Sequence, residues 1–196
     1  MRLILLAALT AAAVGCGCKP AATSQGPSLR DIEVFKPDSL PGEKAKLVLA
    51  GTELPVEVKR RMDGNEVVIE LWAHGEVVQQ ERYLSTKDAF NLAMAGGERY
   101  DAPLPLLKFP MNVGDAWEWK GQLSAGDIHR TATAKITTSS AQVYVPEPET
   151  AVKVSVEMSL DSGAPTPAKR TLTFWLVEGR GVVKREFGAG STREPG

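Results

Sequence analysis

Val152-Lys153-Val154-Ser155-Val156-Glu157-Met158-Ser159-Leu160 alternates apolar and polar side chains without a break. Successive side chains of a strand point to opposite faces, so this stretch predicts a strand with one face buried and one wet. Half-wet strands are the signature of an antiparallel sheet, because strands of parallel sheets are covered on both faces.

The same period recurs on both sides. Leu54, Val56 and Val58 alternate with Glu57 and Lys59, then Asp63-Gly64-Asn65 returns the chain into Glu66-Val67-Val68-Ile69-Glu70-Leu71-Trp72. Asp-Gly supplies the positive φ that a tight hairpin turn requires. A second turn at His74-Gly75 leads to a strand over 77–83, and further strands are expected over 116–123, 128–138, 142–145, 171–177 and 182–187. No convincing helix separates one strand from the next, so parallel crossovers are not expected. The fold class is therefore mainly β: a single curved antiparallel sheet, a half-barrel or open barrel built from hairpins. Gly 18 and Pro 13 fit many short strands joined by turns.

Two stretches are harder to read. Residues 85–95 hold helix formers and a capping box from Ser85 to Asp88, yet Phe90, Leu92 and Met94 fall at spacing two. The spacing favours a strand, with the helix still open. Pro103-Leu104-Pro105-Leu106-Leu107-Lys108-Phe109-Pro110 is expected as an extended connector, since proline removes ladder donors and restricts its neighbour.

The N-terminus carries an address. Arg2 precedes an apolar run from Leu3 to Val14, the layout of a secretory signal, and the run is too short for the ~20 residues of a spanning helix. Ala13-Val14-Gly15-Cys16 resembles the lipobox of bacterial lipoproteins, with Ala13 where Leu is usual. That resemblance implies cleavage before Cys16 and acylation (palmitate and related chains) of its thiol, anchoring the chain to a membrane. An ordinary signal peptide leaving a plain thiol is the alternative. Cys16 and Cys18 are the two cysteines, so no disulfide framework is available and Cys18 is read as an idle thiol. Gly17, rather than the Asp that retains such proteins at the inner membrane, implies an outer-membrane address facing the periplasm in a cell with two membranes.

The expected organisation is a signal peptide at 1–15, a lipidated cysteine and flexible tether at 16–44, a β domain at 45–190 and a disordered tail at 191–196. The tether's Pro, Ala, Ser and Gly cannot bury enough apolar surface to order themselves. What remains is about 150 residues, the size of one domain.

Three later pieces resemble, in order, elements of a family of uncharacterised bacterial β-rich envelope lipoproteins. They are Phe109-Pro110-Met111-Asn112-Val113-Gly114-Asp115-Ala116-Trp117-Glu118-Trp119, the turn between Val143-Tyr144-Val145-Pro146 and Ala151-Val152-Lys153-Val154, and Gly179-Arg180-Gly181-Val182-Val183-Lys184-Arg185-Glu186. Together they cover Phe109 to Phe187. The chain departs from the family at Glu147-Pro148-Glu149-Thr150, where a small residue, Gly, Thr and Phe are usual. The resemblance implies a curved antiparallel sheet similar to the half-barrels of lipoprotein carriers and receptors, and it brings no catalytic residues.

The chemical inventory is thin. With 23 basic and 24 acidic side chains the formal charge is -1, which offers no field for nucleic acid. Lys59-Arg60-Arg61 reads as a solvated strand end. His74 and His129 lack further ligands at metal spacing, and no Gly-x-Ser-x-Gly elbow is present. Glu147 and Glu149 sit in a Pro-rich turn where nothing would desolvate them. No catalytic residue, metal site, cofactor or enzymatic activity is expected. Trp117 and Trp119 share a face; with Trp175 they are the candidate ligand-facing aromatics, although core packing is the plainer reading. The expected function is a membrane-anchored, non-enzymatic lipoprotein binding an envelope partner or apolar ligand, and the alternative is a structural protein with a filled core. An enzyme whose site is assembled from distant residues is a remote third reading. Oligomeric state is not readable from the sequence.

Overall fold

The computed structural model describes residues 28–29, 43–49, 52–144, 147–161, 163 and 165–189. The signal segment, Cys16, most of the expected tether and the expected tail lie outside the described residues. All described secondary structure is strand.

Thirteen strands follow in chain order: β1 Ser28–Leu29, β2 Glu43–Leu49, β3 Thr52–Asp63, β4 Glu66–Ala73, β5 Glu76–Ser85, β6 Ala89–Ala95, β7 Glu98–Lys108, β8 Met111–Asn112, β9 Ala116–Ala125, β10 Ile128–Tyr144, β11 Pro148–Asp161, β12 Ala168–Val177 and β13 Gly181–Ala189. Eleven of them form one sheet in the order β13-β12-β11-β10-β9-β7-β6-β5-β4-β3-β2, every pair antiparallel. It is the curled half-barrel that the alternation implied.

Contacts across the concave face fix the curl. Arg185 of β13 pairs with Glu81 of β5, and the rings of Tyr83 (β5) and Phe174 (β12) meet edge to face at 6.4 Å. These strands are far apart in the sheet order, so the sheet must roll until its two halves meet. Tyr83 also stacks on Phe90 at 5.4 Å, and one apolar cluster runs from Val56 to Val182 along the inner face. Each such fully buried side chain contributes about 1.5–3 kcal/mol relative to exposure. At the turns, His74 and Gly75 both adopt positive φ (52° and 84°), the mirror-image turn whose twist matches the strands.

The ambiguous stretch 85–95 is strand at Ala89–Ala95, preceded by a turn in which the Ala89 amide donates to Thr86 Oγ1. The local side-chain signal thus makes a turn, not a helix cap. The connector expected over 103–110 is a correction: residues 98–108 are strand β7, with Leu104, Leu106 and Leu107 fully buried. Prolines are tolerated because β7 ladders with β9 only at Arg99↔Ser124 and Tyr100↔Leu123, then diverges. The Trp117 indole N–H bridges the gap by donating to the Pro105 carbonyl at 2.9 Å. A separate strand at 142–145 is also corrected, because β10 runs unbroken from Ile128 to Tyr144, paired with β11 from Thr131 to Tyr144. Inside the expected tether, Ser28–Leu29 pair with Met111–Asn112, and β2 begins at Glu43.

Between β7 and β9 the chain crosses through a cis Phe109-Pro110 peptide and the Val113-Gly114-Asp115 turn. Thr138 of β10 pins that turn: the Gly114 amide donates to its Oγ1 at 3.1 Å, and Oγ1 donates to the Asp115 carbonyl at 3.0 Å.

Candidate functional site

The turns divide the half-barrel into two ends. One carries His74-Gly75, Gly96-Gly97, Gly126-Asp127 and the β11–β12 connection; the other carries Gly64-Asn65, residues 86–88, the β7–β9 crossing and residues 178–180. At the first end the concave face opens into a pocket of about 370 Å³, within the ~300–1,000 Å³ span of small-molecule sites. Ala95, Tyr100, Leu172 and Phe187 supply apolar wall, and Glu98 and Arg170 the polar one.

Strand periodicity places those polar groups. Arg170 precedes Leu172 and Phe174 at spacing two, and Arg130 likewise precedes Ala132 and Ala134, so both stand on the inward parity where burial gives way to the exposed strand ends at Ala168 and Ile128. Arg170 grips Glu98 with both terminal nitrogens, one bond being 3.2 Å, and Arg130 approaches the same carboxylate at 3.5 Å. Hydrogen bonding to Glu98 holds Arg170 charged above the ordinary guanidinium range. Two cations on one anion leave this rim with a net positive charge. Burial, above all, pushes the Tyr100 hydroxyl up, with Arg170, which hydrogen-bonds it, acting against the shift.

Deeper lies a fully buried carboxylate, Glu81. It receives Arg185, the Tyr83 hydroxyl at 2.7 Å and the Gln79 amide at 2.9 Å. Burial first, and then the Glu81 charge, push the Tyr83 hydroxyl well up. With all partners satisfied, this cluster closes the floor of the interior; a buried carboxylate without them would cost several kcal/mol.

The three tryptophans do not converge. Trp119 is buried on the concave wall, tilted against Tyr100 at 5.9 Å, with its indole N–H lacking a hydrogen-bond partner. It lies flat over Gly121, where a Cβ would stand 2.3 Å from ring carbon Cζ2. Trp117 shares that face but is half-buried and tied to Pro105. Trp175 is a correction: it faces outward, packed with Val143, Ala151 and Val177 beneath Lys153 and Lys184. In β12 it is the inward positions 172, 174 and 176 that join the main core, so 175 must point the other way.

His74 lies in the β4–β5 turn and His129 in strand β10, both exposed, and among the described residues no group of three or more His, Cys, Asp or Glu could hold a metal. Glu149 is not left to solvent but pairs with Arg180. Lys59-Arg60-Arg61 is likewise more than a solvated end. Lys59 sits 4.1 Å over Trp72, Arg60 is half-buried, and Arg61 reaches Glu70 at 3.7 Å.

A larger depression of about 870 Å³ lies over β9–β12. Its exposed walls are charged, Lys120, Lys135 and Lys169 alternating with Glu118 and Glu157, while Trp119 and Met158 border it only as buried residues. Its lining mixes these charges with apolar side-chain surface and shares Arg170 with the smaller mouth, whose wall of Tyr100, Leu172 and Phe187 makes it the better candidate for an apolar ligand.

The sequence pattern did carry a signal for this mouth that composition hides. Glu81, Glu98, Arg130, Arg170 and Arg185 all stand at apolar parity, where a charge must find a partner or snorkel to a rim. Comparisons with protein-family models, curated proteins and solved structures each gave no match to this chain.

Proposed function

We propose that this chain is a lipid-anchored, non-enzymatic lipoprotein of the bacterial envelope, held through Cys16, whose half-barrel receives an apolar ligand or the apolar segment of an envelope partner at its mouth. The observation that carries the reading is the pocket itself, apolar-walled and open at one end of an otherwise filled interior. Further support comes from its surroundings. Val77, Val78, Ile128 and Phe187, each more than 40% exposed, lie close to the turns or strand end of the same end. The N-terminal segment meets the domain at the other end, through Ser28–Leu29 on Met111–Asn112. With Gly17 after the lipidated cysteine, the outer membrane facing the periplasm is the proposed address.

Mass spectrometry of the mature protein, gently isolated from its native cells, tests this. Acylated Cys16 with a co-isolated lipid or crosslinked envelope partner is the expected outcome. An unmodified Cys16 with neither would sink it.

A structural role without ligand is the second reading, favoured by the deep interior, where Tyr83, Phe90, Ile136 and Phe174 are essentially unexposed. It requires the mouth to bind nothing.

A further inference from the structure

We infer that the mouth pocket selects amphiphiles with an anionic head group, the acyl chain entering between Tyr100, Leu172 and Phe187 and the head resting on Arg170 and Arg130. This deepens the ligand-binding reading above and rests on it.

Arg170 and Glu98 line the pocket and Arg130 stands just outside its lining, 3.5 Å from the same carboxylate, so one carboxylate serves two guanidiniums. Each guanidinium carries about five N–H donors in a planar fork. Arg170 directs donors to Glu98 and to the Tyr100 hydroxyl, and Arg130 stands at 3.5 Å from Glu98, which leaves each fork with further donors beyond those contacts. Both cations are partly exposed, their side chains 26% and 35% accessible, whereas Glu98 is 15% accessible beneath them. The cations are therefore the outward groups and the carboxylate the inner one, which fixes their position. Guanidinium forks match the geometry of carboxylates and phosphates. Below the rim the Glu81–Arg185 pair is closed on itself, and so attracts no further charge. A head group would stay at the rim while its chain lies along the apolar wall.

Carboxylate and phosphate heads share this chemistry, and the probes separate them. The full chain, reconstituted in phosphatidylcholine nanodiscs, is titrated with radiolabelled dodecanoate, dodecyl phosphate, dodecyl glucoside and dodecyltrimethylammonium, empty nanodiscs giving the membrane background. At least one anionic probe is expected to bind about tenfold or more tightly than the glucoside, and the better of the two names the head-group source. That preference should shrink with added salt and fall toward unity in Arg170→Gln. Arg130→Gln, farther from Glu98, is the second variant, and should also lower the anion preference, so a misfolded Arg170→Gln leaves a decisive test. Equal binding of all four probes, or tightest binding of the cationic one, overturns the inference and leaves the apolar-ligand reading standing. No saturable binding of any probe above empty discs overturns both.

Discussion

Replacing Glu81 by Gln keeps the shape of the side chain and removes its charge from the centre of the half-barrel. Glu81 is fully buried and serves three partners at once, and Arg185, only 13% exposed, would lose its carboxylate. Breaking one side of a buried pair costs about 3–5 kcal/mol, mostly the desolvation of the charge left behind. With a urea dependence of about 2 kcal/mol per molar for a domain of this size, the unfolding midpoint should fall by about 1.5–2.5 M. Arg185→Met should cost a similar amount. The double variant Glu81→Leu/Arg185→Met removes both charges, leaving the buried Tyr83 hydroxyl without its acceptor, so its loss should be only about 1–3 kcal/mol. Adding Tyr83→Phe removes that buried orphan, leaves only the half-buried Gln79 amide without its acceptor, and should bring stability back toward the parent protein. Urea denaturation followed by circular dichroism measures the whole series. Single losses below about 1 kcal/mol that simply add in the double variant would refute the reasoning, because they would mean the groups are not coupled in the core.

Gly121→Ala places a Cβ 2.3 Å from Trp119 Cζ2. The ring must swing off the wall at a cost of about 1–3 kcal/mol, visible as a lower melting temperature and red-shifted tryptophan emission; an unchanged spectrum would argue that the ring does not lie over Gly121. Thr138→Val keeps the volume but leaves the Gly114 amide and Asp115 carbonyl without their hydroxyl. A loss of about 1–3 kcal/mol is expected in urea titration, and a loss near zero would remove Thr138 as the pin of that turn. Alkali should destabilise the fold. Tyr83 and Tyr100 have raised folded-state values, so above the ordinary value near 10 only the unfolded chain releases their protons. Stability is then intact below pH ~10 and falls by about 1.4 kcal/mol per pH unit for each tyrosine as pH rises further. Tyr83→Phe and Tyr100→Phe should each flatten that slope, and a slope unchanged in both would exclude the tyrosines as its source.

Period-two alternation was enough to place most strands, their antiparallel sense and the curved single sheet, because it reflects a one-sided core that each strand must face independently. Val152 to Leu160 behaves in the structure as its pattern implies, inward at even positions. Prolines misled over 103–110, since their missing donors matter only where a neighbouring strand is in register, and β7 has left β9 there. Trp175 misled for a related reason: an aromatic residue says nothing about which face it takes until the register of its own strand is known.

The sequence by itself determined local order: which residues pair as hairpins, where the turns fall, and that Arg170 or Glu98 stands on the same side of its strand as the core. Only the rolled sheet decided what those inward charges meet. Glu81 and Arg185 are 104 residues apart, and Glu98 and Arg170 are 72; no local pattern links such pairs. Closure of the two halves is set by the summed twist and packing of the whole sheet, and it is closure that turns scattered charged residues into a satisfied floor and a positive rim.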